Sequence, residues 1–304
     1  MLPFPLIYHD DYDLNLGDHV FPSVKYKLIR ERMIGEGFAT ADDFLQPQPA
    51  TDEELILVHD RGWVTRLKHG TLGYHEILRL EIPYSRPMVN AFWLAAGGTT
   101  LAARRSLKSR VGFNIGGGFH HAFHGHGEGF CAIHDVAVAI RKLQSEKLIE
   151  RALVVDVDVH QGNGTAAIFA HDPSVYTLSV HQFNNYPSVK PPSTVDINLE
   201  DGTGDEGYME SLRGPVTAAL DQFRPDLLMY VAGADPYEHD KLGGLSLTFE
   251  GLFKRDLMVM EAAFSRNVPV CVTLAGGYAL KLDDTVTIHT NTAKAAVQAL
   301  GRAA

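Results

Sequence analysis

Residues 153–164 read Leu-Val-Val-Asp-Val-Asp-Val-His-Gln-Gly-Asn-Gly, an apolar run that turns polar at every second position before a glycine breaks it. Successive side chains of a strand point to opposite faces, so Asp156, Asp158 and His160 share one side. Two carboxylates and an imidazole that close together repel and lose hydration unless a cation or a proton network compensates them. A metal ion is the natural compensator. The bland alternative, acids capping a following helix, loses ground once the other strand ends are read.

Short apolar runs at Val111 to Ile115, Ala152 to Val159, Val175 to Val180, Leu227 to Ala232 and Val268 to Leu274 are rich in Val and Leu and do not strictly alternate. Such runs predict strands buried on both faces. Between them, Met88 to Leu107, Glu206 to Gln222 and Thr248 to Phe264 carry apolar residues at helical spacing. The alternation predicts a parallel sheet covered by helices. Only Ser188 to Thr194, with Lys190-Pro191-Pro192, reads as an extended loop, and no repeat or linker divides the chain. One domain over residues 1–304 follows.

In open α/β sheets the site lies at the carboxyl ends of the strands, and the polar residues fall there. Gly233-Ala234-Asp235 follows the fourth run, so Asp158, His160 and Asp235 together offer three ligands with coordination positions left open, as in catalytic metal sites. Gly116-Gly117-Gly118-Phe119-His120-His121 follows the first run; its glycines permit a sharp turn, and neutral imidazole suits acid–base work near pH 7. His124 and His126 read as exposed loop residues. Ala275-Gly276-Gly277-Tyr278 follows the last run and can present a phenol to a developing oxyanion.

Bulk properties narrow the classes. With 45% hydrophobic and 21% charged residues the chain is of the soluble globular kind. A formal charge of −10 argues against a nucleic-acid partner while favouring attraction of a lysine-bearing or polyamine substrate. No apolar run approaches the roughly 18 residues of a membrane span, and the N-terminus lacks the basic region of a secretory signal. Only two cysteines, Cys131 and Cys271, point to a reducing cytoplasm.

The ordered set GGGFHH at 116–121, EGFCAIHD at 128–135, DVDVHQGNG at 156–164, GAD at 233–235, LGGLSLT at 242–248 and GGY at 276–278 resembles the histone deacetylase family over nearly the whole chain. The HQGNG and GGGFHH forms are most similar to class IV members and their bacterial relatives. The resemblance implies an arginase-like α/β fold, a three-layer sandwich around a central parallel sheet of about eight strands. It implies one catalytic zinc ion on Asp158, His160 and Asp235, with His121 as general base and then general acid. His120 is implied as its electrostatic neighbour, paired with Asp156, and Tyr278 as the oxyanion donor.

The same resemblance implies a structural potassium ion at Asp156, Asp158, His160 and Ser179, with backbone carbonyls completing its shell. A second, peripheral monovalent site falls at Phe169, Asp172 and Val175. Gly129 and Phe130 correspond to one wall of an acyl-lysine tunnel, Leu242 to a residue near its floor and Tyr186 to the opposing aromatic. The implied activity is removal of an acyl group from a lysine side chain of a protein or peptide. An acetylpolyamine deacylase uses the same machinery, and a catalytically inactive acyl-lysine binding module is the non-enzymatic rival.

Asn163 departs from the pattern of class I members, which carry an acid there. An amide can orient the His121 ring but stabilises an imidazolium less than a carboxylate does, so the His121 pKa is expected to be lower than with an acidic partner. The sequence specifies neither an oligomeric state nor an acyl length.

Overall fold

The computed structural model describes residues 1–303. Eight strands form one sheet: β1 (Leu6–Ile7), β2 (Phe44–Leu45), β3 (Val111–Asn114), β4 (Ala152–Asp156), β5 (Val175–Gln182), β6 (Val195–Leu199), β7 (Leu227–Val231) and β8 (Val270–Thr273). Their spatial order is β2-β1-β3-β8-β7-β4-β5-β6, and every pairing is parallel. β3, β4, β7 and β8 are buried at every position, as continuous apolar strands between two helical layers require.

Among the described residues ten α-helices accompany the sheet: α1 (Lys25–Gly35), α2 (Asp52–Leu55), α3 (Arg61–His69), α4 (Tyr74–Leu80), α5 (Arg86–Ser109), α6 (Asp135–Ser145), α7 (Asn163–Phe169), α8 (Asp205–Phe223), α9 (Phe249–Phe264) and α10 (Leu282–Ala303). α5 packs on β3, β8 and β1 and against α6, while α8, α9, α10 and α1 pack one on the next. The result is the expected three-layer α/β sandwich. α5 starts where Ser85 caps the amide of Met88 and a proline occupies its first turn. α9 starts at Thr248, whose hydroxyl accepts from Gly251 N while its own amide donates to Asp205.

The five expected strands are present with shifted ends. The largest shift has a physical cause: β4 stops at Asp156 rather than continuing to Val159, because side chains take over the backbone donors. Asp158 N donates to Asp156 Oδ1 at 3.2 Å, Val159 N to Asp235 Oδ1 at 2.8 Å, and His160 N to Asp158 Oδ1 at 3.0 Å. The chain bends through Asp158, Val159 and His160 and no longer belongs to a ladder.

Neighbouring order in the sheet decides where the site lies. β3, β8, β7 and β4 are adjacent and central, and each ends in one of the polar motifs. Residues far apart in sequence thus meet at the carboxyl ends of these strands, as where Gly276 N donates to Asp158 Oδ2 at 2.9 Å across 118 positions. Among the described residues no helix is long and apolar enough to cross a membrane.

Candidate active site and metal centre

The loop after β3 places the two histidines. Gly117 and Gly118 have φ of +75° and +82°, and a Cβ on Gly117 would lie 2.2 Å from Asp135 Oδ2, so no larger residue fits this turn. Asp135 accepts from Gly118 N at 2.9 Å, from Phe119 N at 2.8 Å and from the Thr99 hydroxyl at 2.5 Å. This buried carboxylate holds the loop so that His120 and His121 face inward with ring centroids 4.0 Å apart.

The loops after β4 and β7 bring Asp158, His160 and Asp235 together. One ligand atom from each lies within 4.8 Å of the others, and all three residues are buried. His160 Nδ1 is 3.1 Å from Asp158 Oδ1 and 3.3 Å from Asp235 Oδ2. Asp235 Oδ2 has no hydrogen-bond partner, and a Cβ on Gly276 would stand 2.1 Å from it. Burial, then the Asp158 charge, pushes the Asp235 carboxyl up to about 7. An orphaned carboxylate oxygen beside a second carboxylate and an imidazole, in a cradle kept open by glycine, suits a divalent cation.

The two histidines have different partners. His120 Nδ1 is 2.6 Å from Asp156 Oδ2; burial opposes its charged form, but Asp156 and Asp158 outweigh that and hold the imidazole up to about 9. His121 Nδ1 is 2.7 Å from Asn163 Oδ1. Burial, then the neighbouring His120 and His160 charges, push His121 well below the usual imidazole range despite the Asn163 bond. The surroundings thus favour the charged form of His120 and the neutral form of His121. A carboxylate does stand behind His121, one hydrogen bond further out than Asn163: Asn163 Nδ2 donates to Glu128 Oε1 at 2.5 Å.

A cavity of about 200 Å³ opens above this group, lined by Gly129, Phe130, Asn185, Tyr186, Leu242 and Glu81 and reaching His121, His160 and Tyr278. All four residues expected to form the tunnel line it. Phe130 is held at φ +67°, a left-handed conformation rare for an aromatic residue, and Tyr186 meets His121 edge-on at 4.9 Å. At its inner end a second cavity of only about 20 Å³ is lined by Phe21, Gly118, His121, Cys131, Gly276 and Tyr278, among others. Tyr278 is buried, with its amide donating to Asp240 Oδ2 at 2.7 Å.

Ser179 lies opposite Asp156 in the β4–β5 register, its hydroxyl 2.9 Å from His181 Nδ1. At the peripheral position, Asp172 pairs with Arg141 at 2.5 Å and accepts from the amide and hydroxyl of Ser174, so its carboxylate is already engaged. His124 is exposed as expected; His126 is half-buried, stacked on Phe123 at 4.5 Å and 3.2 Å from Glu128.

Two residues of consequence lie outside the strand-end motifs. Arg255, on α9 and fully buried, donates to Gly233 O at 2.9 Å and Val157 O at 3.2 Å, bracing both ligand loops from below. Its charge is met by Asp256, which also accepts from Tyr230 and Thr292. Leu252, Arg255, Asp256 and Val259 follow the spacing of an inward helical face, a signal that marks the pair as buried. Lys25, equally buried, donates to Ala275 O at 2.6 Å; burial brings it down to about 8 although Asp235 and Asp158 favour its charge.

A histone deacetylase domain matches residues 19–293. The chain belongs to the histone deacetylase family. An uncharacterized protein of Picosynechococcus sp. is 39% identical over 94% of this chain and 96% of its own length. Histone deacetylase 2 of Arabidopsis thaliana is 29% identical, covering 90% of this chain and 74% of that protein. The acetoin utilization protein AcuC of Staphylococcus aureus is 28% identical over 86% and 72%. The solved HDA15 HD domain superposes with a TM-score of 0.78 at 24% identity, covering 98% of this chain and 88% of that one, which shows the shared fold. As a histone deacetylase family member the chain is a hydrolytic deacetylase acting on acylated substrates.

Proposed function

We propose that this deacetylase is a zinc-dependent amidohydrolase of the class IV type that removes a short acyl group from the side-chain amine of lysine in a protein or peptide. The observation that carries the reading is convergence: the Asp158–His160–Asp235 cradle, the neutral ring of His121 and the Tyr278 phenol all sit at the inner end of one tunnel. Asp158, His160 and Asp235 would hold the zinc ion, which when bound supplies Lewis acidity toward an acyl oxygen and water.

The protein's own groups do the rest. With Nδ1 engaged by Asn163, His121 Nε2 removes a proton from the attacking water and later returns it to the leaving amine. The cationic His120 beside it lowers the energy of negative charge developing at the carbonyl, and the Tyr278 hydroxyl donates to that oxyanion. Gly129, Phe130, Tyr186 and Leu242 enclose the apolar stem of the substrate and keep bulk water out. Asp156, Ser179 and the carbonyls around Asp158 and His160 would form the shell of a structural potassium ion. Two free, buried cysteines accord with a cytoplasmic home.

Acyl length follows from the inner cavity. At about 20 Å³ it accommodates little more than one water-sized group, so acetyl is favoured over long fatty chains. The deciding experiment is a panel of zinc-loaded assays on one peptide carrying acetyl through myristoyl lysine, with and without a chelator. Turnover falling steeply beyond the shortest chains and abolished by the chelator supports the reading; turnover of no acylated amine, or preference for myristoyl, overturns it.

A second substrate reading has one specific support. Glu81 lines the tunnel, and burial followed by the nearby Glu128 charge raises its carboxyl, so two acids stand together there. Such a mouth attracts a slender polycation. Comparing acetylspermidine with an acetyl-lysine peptide separates the two, and a higher kcat/KM for the polyamine would reassign the substrate.

A further inference from the structure

The amide of Asn163 has a donor end and an acceptor end, and the ring of His121 is useful as a base only if it meets the acceptor. Glu128 decides which end it meets. Its Oε1 accepts from Asn163 Nδ2 at 2.5 Å and from the Tyr186 hydroxyl at 2.9 Å, while Oε2 lies 3.2 Å from His126 Nε2. An ionised carboxylate only accepts, so it claims the NH2 end of the amide. Oδ1 is then left for His121 Nδ1 at 2.7 Å, with Gly164 N donating to the same oxygen at 3.0 Å. That oxygen cannot donate, so the ring proton resides on Nδ1 and Nε2 presents its lone pair to the cavity.

We propose that Glu128 is a positioning residue for the acid–base histidine: acting through Asn163 it fixes the orientation and tautomer of His121 and supplies the negative charge that the amide lacks. Through the Tyr186 hydroxyl the same carboxylate ties this ring to the tunnel wall. The histidine, its amide and the wall aromatic are thus registered by one side chain. The inference rests on the reading of His121 as the base.

Two arms test it on the full-length, zinc-loaded protein. The first needs no substrate: nitrogen-15 NMR of labelled histidines should show His121 protonated on Nδ1 in the parent and a mixture of tautomers in Glu128→Ala. The second is kinetic. A charge-assisted hydrogen bond is about twice as strong as a neutral one, and Glu128→Ala should lower kcat about tenfold or more, with Glu128→Gln in between.

Asn163→Asp alone places two carboxylates where one hydrogen bond stood and should also lose activity. Combining Glu128→Gln with Asn163→Asp exchanges acid and amide, preserving charge and bond count, and should return kcat to within about threefold of the parent. A role confined to folding gives no such recovery, so the exchange discriminates even if Glu128→Ala folds poorly. An Nε2-protonated ring in the parent, full kcat in Glu128→Ala, or a double variant as poor as the product of the singles overturns the proposal. If no acylated amine is hydrolysed yet the tautomer still responds to Glu128, the deacylase reading fails while the positioning stands; an unmoved tautomer with intact turnover is the reverse.

Discussion

His120 Nδ1 lies 2.6 Å from Asp156 Oδ2, and neither side chain is more than 4% exposed. Opposite charges held that close inside the protein depend on each other. Asp156→Asn leaves a buried imidazole without its counter-charge, and breaking such a pair on one side costs about 3–5 kcal/mol. Denaturant unfolding of the metal-loaded variant should show a loss of that size, accompanied by a fall in kcat. Unchanged stability would mean that the pair is not charged in the folded protein.

Tyr278 is buried beside His160, with ring centroids 6.4 Å apart. If its hydroxyl stabilises the oxyanion, Tyr278→Phe should lower kcat by about 10²–10³ with little change in KM. Steady-state kinetics on an acetyl-lysine peptide provides the measurement, and a fully active variant would remove the assignment.

Arg255 reaches under two ligand loops at once. Arg255→Met keeps the volume but releases Gly233 O and Val157 O and strips Asp256 of its cation, so a destabilisation of about 3–5 kcal/mol is expected. Zinc affinity should weaken too, measured by competition with a fluorescent chelator, because Asp158 and Asp235 lie within two residues of the freed carbonyls. Parent-like affinity would show that the loops hold their shape unaided.

Acid sensitivity has an identifiable source. The amide of His134 donates to His59 Nε2 at 2.9 Å, and His59 Nδ1 bonds to Phe123 O, so the ring must be neutral. Burial lowers it to about 4 from an ordinary 6.5. Between those values the unfolded chain binds a proton that the folded one refuses. Stability is therefore intact above about pH 6.5 and declines as pH falls, by about 1.4 kcal/mol per unit for this group. His59→Gln supplies both a donor and an acceptor without titrating, and should flatten the slope of unfolding free energy against pH by one proton. An unchanged slope would exclude His59 as the source.

Much of this site was readable because its chemistry is punctuated by apolar strands. β3, β4, β7 and β8 are continuous hydrophobic runs, and each ends in glycine or acid, so Gly116 to His121, Asp158, His160, Asp235 and Gly276 to Tyr278 announce themselves. What escaped notice did so for physical reasons. β1 and β2 are two residues long, too short for any periodicity, and β6 alternates Val195, Asp196, Ile197, Asn198 as an edge strand does. Glu128 and Asp135 bound the EGFCAIHD motif, but they serve by accepting hydrogen bonds from distant residues, so their roles leave no spacing to detect. The Asn163 departure looked like a lost charge; only folding reveals that Glu128 restores it from 35 positions away.

Drawing the cradle from β4 and β7 also governs when it can exist. Val159 and Asp235, joined by a hydrogen bond, are separated by 76 residues, and β5, β6 and α8 must be laid down before they meet. Loop closure over that distance makes such contacts late arrivals on the way to the native state. An unfolded or half-assembled chain offers only the local Asp158–His160 pair, a poor chelator. Tight ion capture therefore reports completion of the central sheet, and a stopped-flow metal indicator would time the final stage of folding.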